Sequence, residues 1–201
     1  MLGAVLTQRT TWGNVELALG NVLRAWGVEG LSRPERVLDA SDEELAALVR
    51  PAGYYNVKPR KVRNLARFVV EEGGIERLAV SQESTSSLRE RLLGVWGVGP
   101  ETADAILLYA LGRPVFVADA YALRLAHRWG LLGPRATYEQ IQALFMDNLP
   151  HDADLFNEFH ALIITHGKRL CRPRPLCDLC RLNKELPAGG GESWRCPRVG
   201  V

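Results

Sequence analysis

Leu93-Gly94-Val95-Trp96-Gly97-Val98-Gly99-Pro100-Glu101-Thr102-Ala103 is the stretch on which the fold turns. Two glycines flank one valine, and a proline follows. Glycine permits positive φ and puts no Cβ in the way, so the stretch predicts a tight turn. Pro100 suits the first turn of a helix, and Ala103, Ile106, Leu107 and Ala110 then recur at helical spacing. On the near side Leu88, Leu92 and Leu93 make another apolar helix face. The pattern is two helices joined by a hairpin, with Val98 able to tuck into the groove between them. Backbone N–H groups at the start of the second helix point outward, and the helix dipole adds to their pull on an anion. A packing hairpin that binds nothing is the plainer reading of the glycines alone.

Outward from the hairpin the periodicity stays helical. Val15, Leu17, Leu19, Val22 and Leu23 fit one broad apolar face. Leu45, Leu48 and Val49 follow Ser41-Asp42, and Ser41 with Glu44 reads as a capping box. Val62, Leu65, Ala66 and Val69 repeat behind Pro59. Pro114-Val115-Phe116-Val117 is short and β-branched but has no evident partner strand, so it reads as an extended connection. Further helices are expected at about 120–130, 137–148 and 152–168. The fold class is therefore all-α with short loops. Pro187-Ala188-Gly189-Gly190-Gly191 is the one low-complexity patch, and flexibility is expected there.

With 201 residues, 47% of them hydrophobic, the chain can bury a core as one domain or as two small ones. A net charge of +2 does not by itself announce a nucleic-acid partner, but its distribution is uneven. Tyr54 to Val70 carries Lys58, Arg60, Lys61, Arg63 and Arg67 and no acid. The tail after Gly167 carries eight Lys or Arg against Asp178, Glu185 and Glu192. Such stripes mark either a phosphate-binding face or an ordinary solvated helix face. No apolar run approaches the roughly 18 residues of a membrane span. The opening Met1-Leu2-Gly3-Ala4-Val5-Leu6 lacks a basic n-region and a cleavage site, so it is not a signal peptide. It reads as the inside of a buried helix and leaves room for an upstream segment before Met1.

Two further features carry chemistry. Asp119 stands twenty residues past Gly99 and precedes a helical run, where propensity alone makes it an N-cap. All four cysteines, Cys171, Cys177, Cys180 and Cys196, lie in the last 31 residues, separated by five, two and fifteen residues. Four clustered thiols in an otherwise cysteine-free chain argue for metal over disulfides, and zinc on four thiolates is one reading.

In order and spacing these pieces resemble the endonuclease III-like, helix-hairpin-helix DNA glycosylases. The resemblance runs from Leu2-Gly3-Ala4-Val5-Leu6-Thr7-Gln8-Arg9-Thr10 through Gly53-Tyr54-Tyr55-Asn56 with Lys58. It continues through the hairpin and Val117-Ala118-Asp119-Ala120-Tyr121 to His166-Gly167-Lys168 before the cysteines. Glu101 to Ala110 and the opening segment are most similar to the 3-methyladenine DNA glycosylase III branch. That branch has an upstream segment helping to form its base pocket, and this chain has nothing before Met1.

The resemblance implies two helical subdomains, one of residues 1–20 and 112–201, the other of residues 21–111 with the hairpin at about 86–110. It implies DNA in the cleft between them and a base-excision-repair glycosylase that flips out a damaged base from double-stranded DNA. Asp119 matches the family's essential aspartate, at the mouth of that cleft. Gly97, Val98, Gly99 and Thr102 would bind DNA. Gln8 matches a side chain inserted where the flipped base was, although from the residues alone it is a loop or cap residue. Lys168 would line the pocket or bind phosphate. Trp12, Tyr54, Tyr55 and Trp96 are candidates for stacking on a cationic base, with core packing as the alternative for each. Cys171, Cys177, Cys180 and Cys196 would hold a [4Fe–4S] cluster, though the usual last gap is about five residues and the gap here is longer. Bifunctional members place an amine nucleophile where this chain has Glu101, and a carboxylate cannot form an imine. The expectation is thus a monofunctional enzyme favouring alkylated purines. The alternatives are a bifunctional endonuclease III with AP-lyase activity on oxidised pyrimidines, and a non-catalytic DNA-binding module. A cytoplasmic monomer, nucleoid-associated in a prokaryote, is expected.

Overall fold

The computed structural model describes residues 1–184 and 195–201, with the backbone alone at 186–187 and 193–194. The expected flexibility of residues 187–191 concerns a stretch that lies largely outside the described residues. Eleven α-helices appear among the described residues: α1 (Leu2–Leu6), α2 (Trp12–Ser32), α3 (Pro34–Asp39), α4 (Asp42–Val49), α5 (Lys58–Glu71), α6 (Ile75–Val80), α7 (Thr85–Leu93), α8 (Pro100–Leu111), α9 (Ala120–Arg128), α10 (Tyr138–Met146) and α11 (Ala153–Arg169). Short 3₁₀ turns cover Arg50–Ala52, Cys177–Leu179 and Arg181–Asn183. The protein is all-α apart from a two-residue antiparallel ladder, β1 (Leu186–Pro187) with β2 (Ser193–Trp194). No helix among the described residues is long and apolar enough to cross a membrane.

The chain divides into two compact units, Met1–Arg113 and Pro114–Val201. In the expected division residues 1–20 joined the C-terminal part. Here α1 packs on α2, α5 and α8 and belongs to the first unit. The reason is burial: Val5 and Leu6 are sealed from solvent, and the Leu6 carbonyl is held from α5 by Lys58.

In the first unit Val15, Ala18 and Val22 are the buried positions of α2, whereas Leu17 and Leu23 lie exposed. The broad face expected of this helix is narrower because positions i, i+3 and i+7 alone point inward. Gly27, at φ 69, breaks its helical conformation. Ser41 Oγ accepts from Glu44 N, but the reciprocal half of the expected capping box is not made. Glu44 Oε1 accepts instead from Trp26 (2.7 Å) and Arg36 (2.8 Å). A complete capping box joins Thr137 and Gln140 in the second unit.

The hairpin helices α7 and α8 are bolted together. Arg89 donates from Nε to Asp104 Oδ1 (2.7 Å) and from its terminal nitrogen to Oδ2 (3.0 Å), and Asp104 is completely buried. Leu88, Leu92, Ala103, Ile106 and Leu107 are fully buried around it. Gly112, in the left-handed region at φ 62, ends α8.

The second unit is built on Phe116. The stretch 114–117 has no regular structure, as expected, and Phe116 is buried against Phe145 (4.3 Å between centroids) and edge-on to Phe156 (5.9 Å). Gln142 holds its carbonyl at 2.7 Å, which satisfies a buried backbone group without a partner strand.

Removing Arg89 takes two hydrogen bonds and an ion pair away from the buried Asp104 carboxylate. Arg89→Met should therefore lower unfolding stability by about 3 kcal/mol, measured by urea denaturation; an unchanged midpoint would contradict the bolt.

Candidate functional site

In the hairpin the two glycines have different reasons. Gly97 sits at φ 97, and a Cβ there would come within 2.5 Å of Lys61 Cγ. It must be glycine both for conformation and for space. Gly99, expected to share the positive-φ turn, is extended at φ −101 as the N-cap of α8, and a Cβ there would meet nothing within 4 Å. Nothing inside the protein crowds Gly99. The Gly97–Val98 peptide is engaged at both ends: Gly97 O accepts from Gln8 Nε2 (2.9 Å), and Val98 N donates to Val95 O (3.0 Å). Val98 is buried, as its proposed wedge between helices requires. Beyond it lies the first turn of α8, where Pro100 supplies no amide and no side chain caps the helix.

Gln8 is held on all sides. Its Nε2 also donates to Thr102 Oγ1 (2.9 Å), and its Oε1 accepts from Lys61 Nζ (2.5 Å). Thr102 is buried, and its hydroxyl serves Gln8. Glu101 is exposed in the first turn of α8, on the side where a helix dipole favours a carboxylate.

The basic stripe of α5 is spent differently from the expected phosphate face. Lys58 is buried and donates to Leu6 O (2.7 Å) and Ala52 O (2.6 Å). Burial, and then the charge of Lys61, pull its ammonium below the ordinary lysine range. Arg63 donates to the carbonyls of Val37, Leu38 and Ala40, closing the end of α3, and to Asp42. Arg60 lies over the Trp96 ring at 4.2 Å. Trp12, Tyr54, Tyr55 and Trp96 are each about half exposed, and the ring tip of Trp12 lies against Gly3 of α1.

In the second unit Asp119 is the N-cap of α9. Its Oδ1 accepts from Tyr121 N (2.9 Å) and Ala122 N (2.8 Å). The cap expected from propensity is therefore real, and it engages one carboxylate oxygen. Oδ2 faces His160 Nε2 at 3.6 Å, and the Asp119 side chain retains 13% exposure. His160 comes from α11 and is buried; nothing in the sequence alone singled it out.

The four cysteines line one cavity together with Arg128, His166 and Asn183. Burial pushes the Cys196 thiol up, against a backbone hydrogen bond at Arg198 that pulls it down, and the three other cysteines add to the rise. Arg128, buried on α9, donates to Cys171 Sγ (3.3 Å) and to the carbonyls of Cys171, Arg172 and Pro173. Arg124 adds bonds to Cys171 O (2.8 Å) and Gly167 O (3.1 Å). Among the described residues no three Cys, His, Asp or Glu side chains converge closely enough for a single ion. Four thiols gathered around one cavity could hold a [4Fe–4S] cluster with one thiolate at each corner, or a single tetrahedral ion. Lys168 is exposed, with Nζ 6.0 Å from the Tyr121 ring. Gly167 is required because a Cβ would meet Tyr121 Cδ1 at 2.5 Å.

Comparison with known proteins agrees with these features. Residues 2–151 match the HhH-GPD superfamily of base excision DNA repair proteins. A protein of Methanocaldococcus jannaschii named as a DNA repair glycosylase is 43% identical over 185 residues, covering 92% of this chain and 82% of that one. Endonuclease III of Thermotoga maritima is 29% identical over 183 residues, covering 90% and 78%. Among solved structures, a 3-methyladenine DNA glycosylase of H. pylori bound to 1,N6-ethenoadenine superimposes with a TM-score of 0.71 at 30% identity, covering 84% and 83%. A non-covalent endonuclease III–DNA complex gives 0.72 at 21% identity, covering 90% and 78%, which is a likeness of fold.

The two glycines should part company on substitution. Gly97→Ala should cost about 1–3 kcal/mol through strain and the Lys61 clash, whereas Gly99→Ala should stay within about 1 kcal/mol of the parent. Thermal denaturation of the two variants side by side reads this directly.

Proposed function

Since this chain belongs to the HhH-GPD superfamily of base excision DNA repair proteins, we propose that it is a DNA glycosylase using Asp119 as its catalytic carboxylate. It cleaves the N-glycosidic bond of a damaged base by water and favours alkylated purines. The observation that carries the reading is the division of labour in Asp119: Oδ1 is fixed by two backbone amides, while Oδ2 stays outside the helix cap. A carboxylate so anchored keeps its place as positive charge develops on the sugar.

The first step is extrusion of the damaged nucleotide, whose anomeric carbon is hidden in the duplex. The C–N bond then breaks, and the base leaves with the bonding electrons. An N3-alkylated adenine is already cationic and departs neutral, so no strong general acid is needed. The Asp119 carboxylate stabilises the oxocarbenium-like sugar and takes a proton from the water that attacks it. The product is an abasic site. The likeness to the H. pylori 3-methyladenine glycosylase supports the alkylpurine preference. Glu101 supports hydrolysis over lyase chemistry, because it carries no amine.

The DNA backbone is held at the hairpin through the amides that open α8. Gly99 supports this assignment: no internal contact explains its missing side chain, and a phosphate approaching the backbone does. Gln8 anchors the free hairpin; to fill a gap in the duplex it exchanges its contacts with Lys61, Gly97 and Thr102 for base edges. Lys168 contributes charge toward phosphate. Cys171, Cys177, Cys180 and Cys196 would hold a [4Fe–4S] cluster, whose chemistry here is structural: it fastens the basic tail.

Two measurements test this. Duplexes carrying N3-methyladenine, 1,N6-ethenoadenine or thymine glycol are incubated with the protein and resolved with and without alkali. Alkylated purine should be released and strand cleavage should need alkali. Asp119→Asn should lower release by about 10²-fold or more while sparing duplex binding, and borohydride should trap no covalent adduct. Release of the oxidised pyrimidine alone, or an efficient trap, would overturn the reading. Separately, anaerobically purified protein should be brown with about four irons and four sulfides per chain; a colourless protein with stoichiometric zinc would refute the cluster.

A further inference from the structure

His160 stands in an unusual place for a polar side chain. It lies in the middle of α11, is only 4% exposed, and its ring meets Phe116 edge-on at 6.1 Å and 85°. Phe116 is itself fixed by Phe145 and Phe156. The imidazole is thus wedged by a rigid aromatic cluster, and Nε2 points to Asp119 Oδ2 at 3.6 Å. A leucine would fill such a position without the cost of burying a polar ring.

The geometry around the carboxylate gives that ring a task. Two amides hold Oδ1; rotation about the Cβ–Cγ bond would carry Oδ1 away from them and Oδ2 away from His160 together, so a contact at Oδ2 resists the same motion from the other side of the group. We propose that His160 is a positioning residue for Asp119: an N–H on Nε2 faces Oδ2, fixes the plane of the carboxylate and keeps that oxygen an acceptor. At 3.6 Å the contact is longer than a hydrogen bond. Such contacts shorten when substrate closes the site. His160 touches neither sugar nor base; it acts through Asp119. This inference rests on the reading of Asp119 as the catalytic carboxylate.

The test needs two readouts. In the DNA-free full chain labelled with 15N-histidine there are four ring systems, His127, His151, His160 and His166, and His160→Gln identifies the resonances of His160 by their loss. Nε2 of His160 should carry the proton, and Asp119→Asn should move its resonance. An unprotonated Nε2, or a resonance indifferent to Asp119→Asn, overturns the proposal without reference to any lesion. In single-turnover release from a duplex with 1,N6-ethenoadenine or N3-methyladenine, His160→Leu should slow cleavage about tenfold to a hundredfold with duplex affinity unchanged. His160→Gln, which keeps a donor, should recover most of the rate. A folded His160→Leu protein that cleaves at the parental rate overturns the proposal, as does an equal loss in both variants. If Asp119→Asn itself cleaves normally, the reading of Asp119 falls and takes this inference with it. A dead Asp119→Asn beside a normal His160→Leu sinks the histidine alone.

Discussion

The first unit hangs on the ammonium of Lys58. It is buried, and it donates to the last carbonyl of α1 and to the 3₁₀ turn before α5. A buried charge is tolerable only when well bonded, and these two carbonyls supply the bonds. The consequence is that α1 cannot shift against α5. Gln8, two residues beyond the held carbonyl, is delivered to Lys61 one helical turn further along α5, and from there to Gly97 and Thr102. The hairpin turn is therefore set by three points: the Arg89–Asp104 bolt between its helices, the Gln8 strut, and the Lys61 stem against which Gly97 lies.

The second unit solves a different problem with similar economy. A carboxylate that must keep its charge and its position needs partners, yet partners consume the lone pairs that chemistry uses. Asp119 divides them by oxygen. A helix N-terminus is well suited to this because its amides are orphaned anyway and its dipole favours an anion. The cap engages one oxygen and leaves the other, so it does not compete with the catalytic role proposed for Asp119.

The hairpin, the extended 114–117 connection, the Asp119 cap and the gathering of four thiols were all legible in the sequence, because each rests on local chemistry: glycine and proline geometry, helical period, cap propensity and cysteine density. What was not legible depended on distant pairing. Lys58 and Arg63 look like surface charges in a basic stripe, but Lys58 is consumed by Leu6 O and Arg63 by Leu38 O and Ala40 O, all distant in the chain. Glu44 has the spacing of a capping box, yet Trp26 and Arg36 outbid the backbone for it. His160 is one polar residue within an apolar helical pattern, and only the fold brings it to Asp119. The membership of residues 1–20 in the first unit likewise follows from packing, which no local pattern encodes.

Helix α9 joins the two ends of the second unit's chemistry. Asp119 caps its start, and nine residues later Arg128 grips Cys171, Arg172 and Pro173, with Arg124 reinforcing the hold. A nine-residue helix is a rod about 13 Å long with little give along its axis. The cysteine loop is thereby a mechanical abutment for the carboxylate. Oxidation or loss of the thiols acts on the abutment first, loosening the rod from its far end. Such damage would reach Oδ2 as a displacement, with every atom of the Asp119 carboxylate still present.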